Sequence, residues 1–526
     1  MTRLVEIKEL NVSRGPRTEL DRFSLALDAG QTVVLLGEAG SGKEALMRVL
    51  GGIGEHGENI SGTLQFANAP PERANLHAKP PIRMAYLPGL DSRPLSPHAN
   101  VLAQLTRVIA RKLDAPLASA AAELELVLAR LEGAPSIAAL EHAPHKLRPE
   151  IIAWGLLATA LAQAPELLLA DHPFAGLPPL HMRALVRALL AQQKQLGFAT
   201  LHATANTEIA TLLGGKLVVL RHGRVVEEGP IARLATSQAH AYTQTLFKGS
   251  PATSDPPPPR NMGRGEPVLQ VYGLDIPLRN KTKAHDNLTF ELRRGASLAF
   301  VGEDGSGRRE LARTLIGLER APAGRVVLDA VDIGILSETM MSRLRRRVAF
   351  ITGDDDALDP RMTLWDTVAE PLRAHLNLPR NVLSEYGEAA LKRVGLASLK
   401  PNRSIATLSA FDRRRLQVAR AIVTAPLLAV VDEPLRGLDG FAQSVMLDLL
   451  RNFRAQEGPA LLVITADFAV AHALAETAMI FRHGNIVERG SLRELAAAPK
   501  DPYTKSLIEA LASPAPAGLS PEPAQG

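Results

Sequence analysis

The sequence predicts an α/β protein made of two tandem copies of one unit, each a mostly parallel sheet covered by helices. Three observations carry this. First, the chain repeats itself: "PELLLADHPFAGL" is paired with "PLLAVVDEPLRGL", "VVLRHGRVVEEG" with "MIFRHGNIVERG", and "AYTQTLF" with "PYTKSLI". Asp171 and Asp432, Gly223 and Gly484, and Tyr242 and Tyr503 each lie 261 positions apart, and one spacing shared by three separate segments marks an internal duplication. Second, short apolar runs such as "TVVLL" and "LLLA" have the length and composition of strands buried on both faces. Third, these strands alternate with helical patterns, and that alternation implies a parallel sheet.

Taken in chain order, each copy opens with strands, passes through a glycine loop into a helix, continues through a mostly helical middle and returns to short apolar strands. The duplication places the domains at 1–248 and 268–512. Between them "GSPATSDPPPPRNMGRGEP", residues 249–267, has the Pro, Gly and Ser content of an extended linker. The last stretch, "SPAPAGLSPEPAQG" at 513–526, reads as disordered.

Composition narrows the function. A chain of 526 residues with 46% apolar and 22% charged content is globular and too long for one typical core. It contains no Cys, which excludes disulfides, thiolate metal sites and thiol nucleophiles. The N-terminus alternates like a strand and lacks the apolar core of a signal peptide. The most membrane-like run, residues 151–170, is interrupted by Gln163, Pro165 and Glu166 and reads better as a buried helix running into a buried strand. A soluble, cytoplasmic chain that meets a membrane only through a partner is expected. A net charge of +5 with no basic block interleaved with aromatics predicts no nucleic-acid partner.

The chemistry-bearing motif is "VVLLGEAGSGKEAL", residues 33–46. Gly37, Glu38, Ala39, Gly40, Ser41, Gly42, Lys43 and Glu44 form a loop whose backbone N–H groups can converge on an anion at a helix N-terminus. A glycine loop can also be a plain strand-to-helix turn, but a lysine at this spacing after an apolar strand favours phosphate. The second copy, "VGEDGSGRREL", keeps Gly302, Gly305, Ser306 and Gly307 but has Arg308 and Arg309 where the first has Lys43 and Glu44. Further on, each copy has an apolar strand ending in an acid, Asp171 and Asp432. Such a carboxylate can hold Mg2+ through water; on its own it could equally cap a turn, but an upstream glycine loop in both copies favours the metal.

On these motifs the chain resembles, over nearly its full length, the ATP-binding subunits of ABC transporters in the form with two fused nucleotide-binding domains. That resemblance implies two tandem P-loop NTPase domains of ABC type, each with a mostly parallel sheet, an antiparallel strand region and a helical subdomain. "AYTQTLF", "DPYTKSLIEAL" and "LRRRVAFITGDDDALDPRMTLWDTVAEPL" resemble segments of oligopeptide, dipeptide and nickel importer ATPases.

In such proteins each ATP site is shared between one domain's loop and acid and the other's signature loop. The resemblance makes Glu433 the candidate general base and His172 its degenerate counterpart. Ala205 and Ala466 stand at the switch-histidine position, with His202 nearby but read as a strand residue. The signature "LSAFD" keeps Ser409 but has Ala410 and Phe411 for two glycines, and "LRPEI" has Pro149, which removes an N–H. "MAYLPGLD" and "VAFITGDD" carry no Gln. The adenine-stacking aromatic is replaced by Arg14 and Leu278, with Tyr272 about six residues early.

Glu44 bears on phosphate directly. Like charges 4 Å apart repel by about 1 kcal/mol in water and about 4 kcal/mol at an effective dielectric of 20, against roughly 0.3–1 kcal/mol from the helix terminus. With Mg2+ present the carboxylate can act as a hard oxygen ligand, whereas the Arg309 guanidinium has no lone pair to offer.

The resemblance thus implies an ATP-binding importer subunit for peptides or related small solutes, nickel or metal chelates included, and the departures from the family pattern imply weak ATP and Mg2+ binding and impaired hydrolysis. Its partners would be integral membrane permease subunits and a periplasmic or extracellular solute-binding protein, with the two domains as a pseudo-dimer at the cytoplasmic face of the membrane. Two other functions compete: a catalytically inactive pseudo-ATPase that regulates the transporter, and a soluble tandem ABC protein of translation or repair. The short Pro-rich linker, the absent cysteines and the importer-like tails stand against the last.

Overall fold

The computed structural model describes residues 2–54, 57–67, 69–73, 81–92, 94–248, 257, 265–277, 283–321, 323–354, 357–375 and 379–509. The linker expected at 249–267 falls almost wholly outside these residues, and the C-terminal stretch 513–526 and Leu278 fall wholly outside them. The chain divides into two compact units, the first carried by residues up to 250 and the second by residues 251–438 and 442–512.

In unit 1 the parallel sheet has six strands in the order Arg224–Pro230, Lys216–Arg221, Thr32–Leu36, Ala199–Thr204, Leu167–Asp171 and Met84–Pro88. Every neighbouring pair is parallel except the first two, which form a hairpin. The central strands are apolar throughout because both faces are covered. Val34, Leu36, Leu168 and Ala170 join a core under the helices. Val33, Leu35, Leu167 and Leu169 face the other way, into a core shared with the glycine-loop helix Lys43–Gly51 and the antiparallel strands. Those strands form a second sheet, Arg17–Asp28, Arg3–Arg14, Glu58–Phe66 and Glu72–Arg73. Arg17–Asp28 shows the one-face pattern of such a sheet, with Phe23, Leu25 and Leu27 buried and the residues between them less so.

Helices Val101–Leu113, Leu117–Arg130 and Pro149–Leu161 make up the helical part of unit 1. Pro149 starts the last of these at a position where its missing N–H costs nothing. The helix is apolar and buried on every side, and the chain then turns into strand Leu167–Asp171. The membrane-like run is therefore a helix followed by a strand, and among the described residues no helix is long and apolar enough to cross a membrane.

Unit 2 has the same plan. Its six-stranded sheet runs Val348–Thr352, Leu428–Asp432, Ala460–Thr465, Ser297–Gly302, Thr477–Arg482 and Asn485–Ser491, parallel except for the last pair. Its antiparallel sheet is Lys283–Arg293, Pro267–Pro277, Ala323–Leu328 and Val331–Asp332, and its helical part includes Leu364–His375, Arg380–Arg393 and Ala410–Ile422. The predicted α/β class, in two tandem units, is the observed one.

Candidate nucleotide-binding sites

In unit 1 the glycine loop joins the central strand Thr32–Leu36 to helix Lys43–Gly51. Gly42 has φ 108°, and a Cβ there would lie 2.5 Å from the Glu19 carbonyl oxygen, so only glycine fits. The loop closes on the peptide of Glu38: its carbonyl accepts from Ser41 N–H at 3.1 Å and from Lys43 Nζ at 2.8 Å. Lys43 is fully buried and also donates to Glu44 Oε1 at 2.7 Å. The Ser41 hydroxyl is buried and finds no hydrogen-bond partner among the described residues.

Strand Leu167–Asp171 brings Asp171 and His172 to the same end of the sheet. His172 is held at φ 51° with its N–H on the Ala203 carbonyl, and its Nε2 lies 3.6 Å from Glu44 Oε1. Burial alone would raise the Glu44 carboxyl, but the His172 imidazole and the Lys43 charge outweigh it and hold the group at about 2. Glu44 is thus a carboxylate at neutral pH. Asp171 Oδ2 accepts from the Tyr86 hydroxyl at 2.6 Å, while its Oδ1 is buried with no hydrogen-bond partner among the described residues. An unbonded buried carboxylate oxygen and an ionised glutamate fit a hydrated divalent cation, and a lysine sharing its contacts between a carbonyl and a carboxylate can re-aim at phosphate. Asp171, Glu44, Lys43 and the loop amides are the residues that would hold Mg2+ and a nucleoside phosphate.

Unit 2 keeps the loop and changes the chemistry. Arg308 begins helix Arg308–Leu315 and is 1% exposed. Its guanidinium donates to the Glu303 carbonyl, to Asp304 Oδ1 at 3.0 Å and to Glu433 Oε1 at 2.7 Å. Arg309 Nε donates to Asp432 Oδ1 at 3.2 Å. Burial would weaken its charge, but the carboxylates of Asp432, Asp304 and Glu433 outweigh that and hold it more firmly protonated than usual. Burial would likewise raise Asp304, yet the Arg308 and Arg309 charges win and lower it.

Glu433, at φ 47°, has its oxygens occupied by three donors: Arg308, the Ala466 N–H at 2.7 Å and the Thr465 hydroxyl at 3.1 Å. A cleft of about 590 Å³ beside the loop helix is lined by Arg309, Arg313, Phe350, Thr352 and Asp432. With two guanidiniums already paired to both acids, these residues do not fit Mg2+.

The structure therefore brings Lys43, Glu44, Asp171 and His172 together in unit 1, and Arg308, Arg309, Asp432 and Glu433 together in unit 2. Ser409 does a local task, capping helix Ala410–Ile422 by accepting from the Asp412 N–H at 3.0 Å. Phe411 packs on the unit 2 core with the Arg415 guanidinium 4.4 Å over its ring. Ala205 and Ala466 precede helices capped by Asn206 and Asp467. His202 is a strand residue in an apolar core, and burial depresses it to about 3, so it is neutral. Arg14, expected near the adenine position, pairs with Glu19 at 3.2 Å. Sequence reasoning missed Tyr86, Asp304 and Thr465. Nor does sequence alone show that the hydroxyls of the tail tyrosines Tyr242 and Tyr503 accept from the loop N–H groups of Glu38 and Glu303, at 3.1 Å in both units. Their common spacing in the repeat was the available signal.

A glycine loop between a central parallel strand and a helix, with an acid at the end of a strand in the same sheet, defines a P-loop nucleotide-binding domain, here in tandem. The family model described as ABC transporter matches residues 20–175 and 285–436, and the chain belongs to that family. Members of the family bind ATP, normally with Mg2+. The peptidoglycan transport ATP-binding protein YejF of Agrobacterium fabrum is 31% identical over 533 residues, covering 96% of each chain. An uncharacterized ABC transporter ATP-binding protein YejF of Escherichia coli strain K12 is 29% identical, covering 94% of this chain and 96% of that one. The glutathione import ATP-binding protein GsiA of the same strain is 28% identical, covering 95% and 87% respectively.

Proposed function

We propose that this chain is the ATP-binding subunit of an importer for peptides or related small solutes, that nucleotide binds weakly in unit 1 through Lys43, and that unit 2 is mainly structural, so that hydrolysis is impaired. The observation that carries the reading is the contrast between Lys43, which rests on a loop carbonyl and one carboxylate, and Arg308, whose guanidinium is paired to Asp304 and Glu433. The printed names of the relatives, peptidoglycan transport and glutathione import, support a peptide-type solute; nickel or metal chelates belong to the same proposal.

The remaining parts of the reading follow from it. The domains run 1–248 and 268–512. The partners are membrane permease subunits and a solute-binding protein, and the chain sits peripherally at the cytoplasmic face. Glu433 is the candidate general base with His172 as its degenerate counterpart, Ser409 is a nucleotide-binding candidate, and Asp171 is the Mg2+ contact through water.

Titration of Mg-ATP into the full chain tests this. Weak binding lost in Lys43→Ala and kept in Arg308→Lys is expected. Tight binding that survives Lys43→Ala overturns the assignment to unit 1, and turnover abolished by Glu433→Gln overturns the impaired hydrolysis. The Arg308–Glu433 ion pair favours a second reading, a pseudo-ATPase module that regulates the transporter. That reading requires no phosphate release even with the permease present.

A further inference from the structure

We propose that the tail helix of each unit is a latch for the phosphate loop, with Tyr242 and Tyr503 as positioning residues that fix the loop at its first peptide. The tail helices are Ala241–Lys248 and Pro502–Glu509. Each carries a tyrosine only 6% exposed. Tyr242 Oη accepts from the Glu38 N–H and Tyr503 Oη from the Glu303 N–H, both at 3.1 Å. These are the residues whose carbonyls accept the Ser41 and Ser306 N–H groups and the Lys43 and Arg308 side chains. Both peptide groups flanking the loop's second residue are therefore tied, one inward to the loop and one outward to the tail.

The tail itself is anchored in the same way twice. Glu227 accepts from the Ala239 and His240 N–H groups at 2.9 and 3.2 Å, and Glu488 from the Lys500 and Asp501 N–H groups at 2.9 and 3.1 Å. The guanidinium of Arg221 lies 4.7 Å over the Tyr242 ring, and that of Arg482 lies 5.0 Å over the Tyr503 ring. Both arginines end strands whose following turns also grip the loop, since Gly223 N–H donates to the Ser41 carbonyl and Gly484 N–H to the Ser306 carbonyl. Burial pushes both phenols up, Tyr503 to about 12, so each stays a neutral hydroxyl. The same contact recurs under two loops whose remaining chemistry differs, Lys43 and Glu44 against Arg308 and Arg309. What the latch serves is thus the loop's shape rather than one ligand.

The effect of the latch on nucleotide rests on the function proposed above, whereas its effect on the loop does not. The test is Tyr242→Phe and Tyr503→Phe in the full chain, which remove the hydroxyl and keep the ring under its arginine. Amide hydrogen exchange read by mass spectrometry should quicken about 2- to 12-fold at residues 37–42 in the first variant and at 302–307 in the second, the range of one hydrogen bond. The melting temperature should fall by no more than about 6 °C. The dissociation constant for Mg-ATP should rise by the same factor in Tyr242→Phe and stay unchanged in Tyr503→Phe. Unchanged loop exchange overturns the latch, and so does faster exchange spread through the whole unit with a large loss of melting temperature, which marks a general stabiliser. If the unmodified chain binds no ATP, the nucleotide reading fails and loop exchange alone decides the latch.

Discussion

At the position after the loop's basic residue, unit 1 places an anion and unit 2 a cation, while the facing strand ends in an aspartate in both and is followed by His172 in the first and Glu433 in the second. Glu44 meets His172 at 3.6 Å in the first, while Arg309 meets Asp432 at 3.2 Å and Arg308 meets Glu433 at 2.7 Å in the second. In both units a polar contact joins the start of the loop helix to the end of the acid strand, but only in unit 2 is it an ion pair between guanidinium and carboxylate. The fold thus accepts either an acid or a base after the loop's basic residue, and only the acid leaves oxygen ligands for a metal. With carboxylates on both sides, unit 1 can take a cation between them; with guanidiniums in that place, unit 2 already holds its counter-charges.

The largest effect expected from this contrast is on stability. Arg308→Ala removes a buried guanidinium and leaves Glu433, 13% exposed, and Asp304 without it. Breaking a buried pair from one side costs about 3–5 kcal/mol. For a unit of this size that is a melting shift of about 6–20 °C. Lys43→Ala should cost less, about 1–3 kcal/mol, because its partner Glu44 is one-third exposed and can be solvated. Calorimetry combined with exchange resolved by unit separates the two. Equal losses would mean that polarity does not distinguish the sites.

The next effect concerns binding. The double change Arg308→Lys with Arg309→Ser removes one guanidinium from Asp432 and returns a point charge to the loop. Mg-ATP affinity at unit 2 should rise at least about tenfold, or ~1.4 kcal/mol, as read by titration in a Lys43→Ala background. No gain would show that the unit 2 loop is blocked by something other than its charges.

How much of this was legible in the sequence depends on how local each feature is. The duplication, the strand-to-helix loop and the acids ending apolar strands were readable because each is written in a few consecutive residues with a fixed spacing. The use made of Arg308 was not. Sequence alone shows it only as the counterpart of Lys43, whereas the fold brings it to Glu433, 125 positions away. Tyr242 and Glu38 are 204 positions apart, and Tyr86 and Asp171 are 85 apart. Beyond the recurrence of the tail tyrosines in the repeat, such pairs leave no local trace, since tertiary placement alone decides which groups meet. Phe411 is a smaller case: within its own unit it is a partly buried residue packed against the core and covered by Arg415, a contact that sequence alone does not show.

The third prediction follows from the depressed Glu44 carboxyl. A folded-state value near 2 against an ordinary 4.5 means that the carboxylate stabilises unit 1 above pH 4.5, and that this contribution fades as pH falls from 4.5 towards 2. Allowing for solvent screening of a one-third-exposed group, Glu44→Gln should cost unit 1 about 1 kcal/mol at pH 7. Urea unfolding of wild type and variant should show a gap that is full at pH 7 and narrows below pH 4.5. A gap independent of pH would mean that Lys43 and His172 do not hold the ionised form.

The smallest expected effect is a difference between two helix caps. After the alanine at each switch position, Asn206 accepts from the Glu208 and Ile209 N–H groups at 2.7 and 3.2 Å, whereas Asp467 accepts from the Ala469 N–H at 2.8 Å and adds a negative charge at a helix N-terminus. Replacing either by Ala should cost about 1 kcal/mol. The share that comes from charge on the helix dipole, roughly 0.3–1 kcal/mol, belongs to Asp467 alone and is screened by salt. Raising ionic strength should therefore shrink the cost of Asp467→Ala by a few tenths of a kcal/mol and leave that of Asn206→Ala unchanged. Equal salt dependence in exchange measurements of the two helices, Thr207–Leu213 and Phe468–Leu474, would mean that the Asp467 charge is already neutralised within unit 2, and the polarity contrast between the units would then stop at the loop and the acid strand.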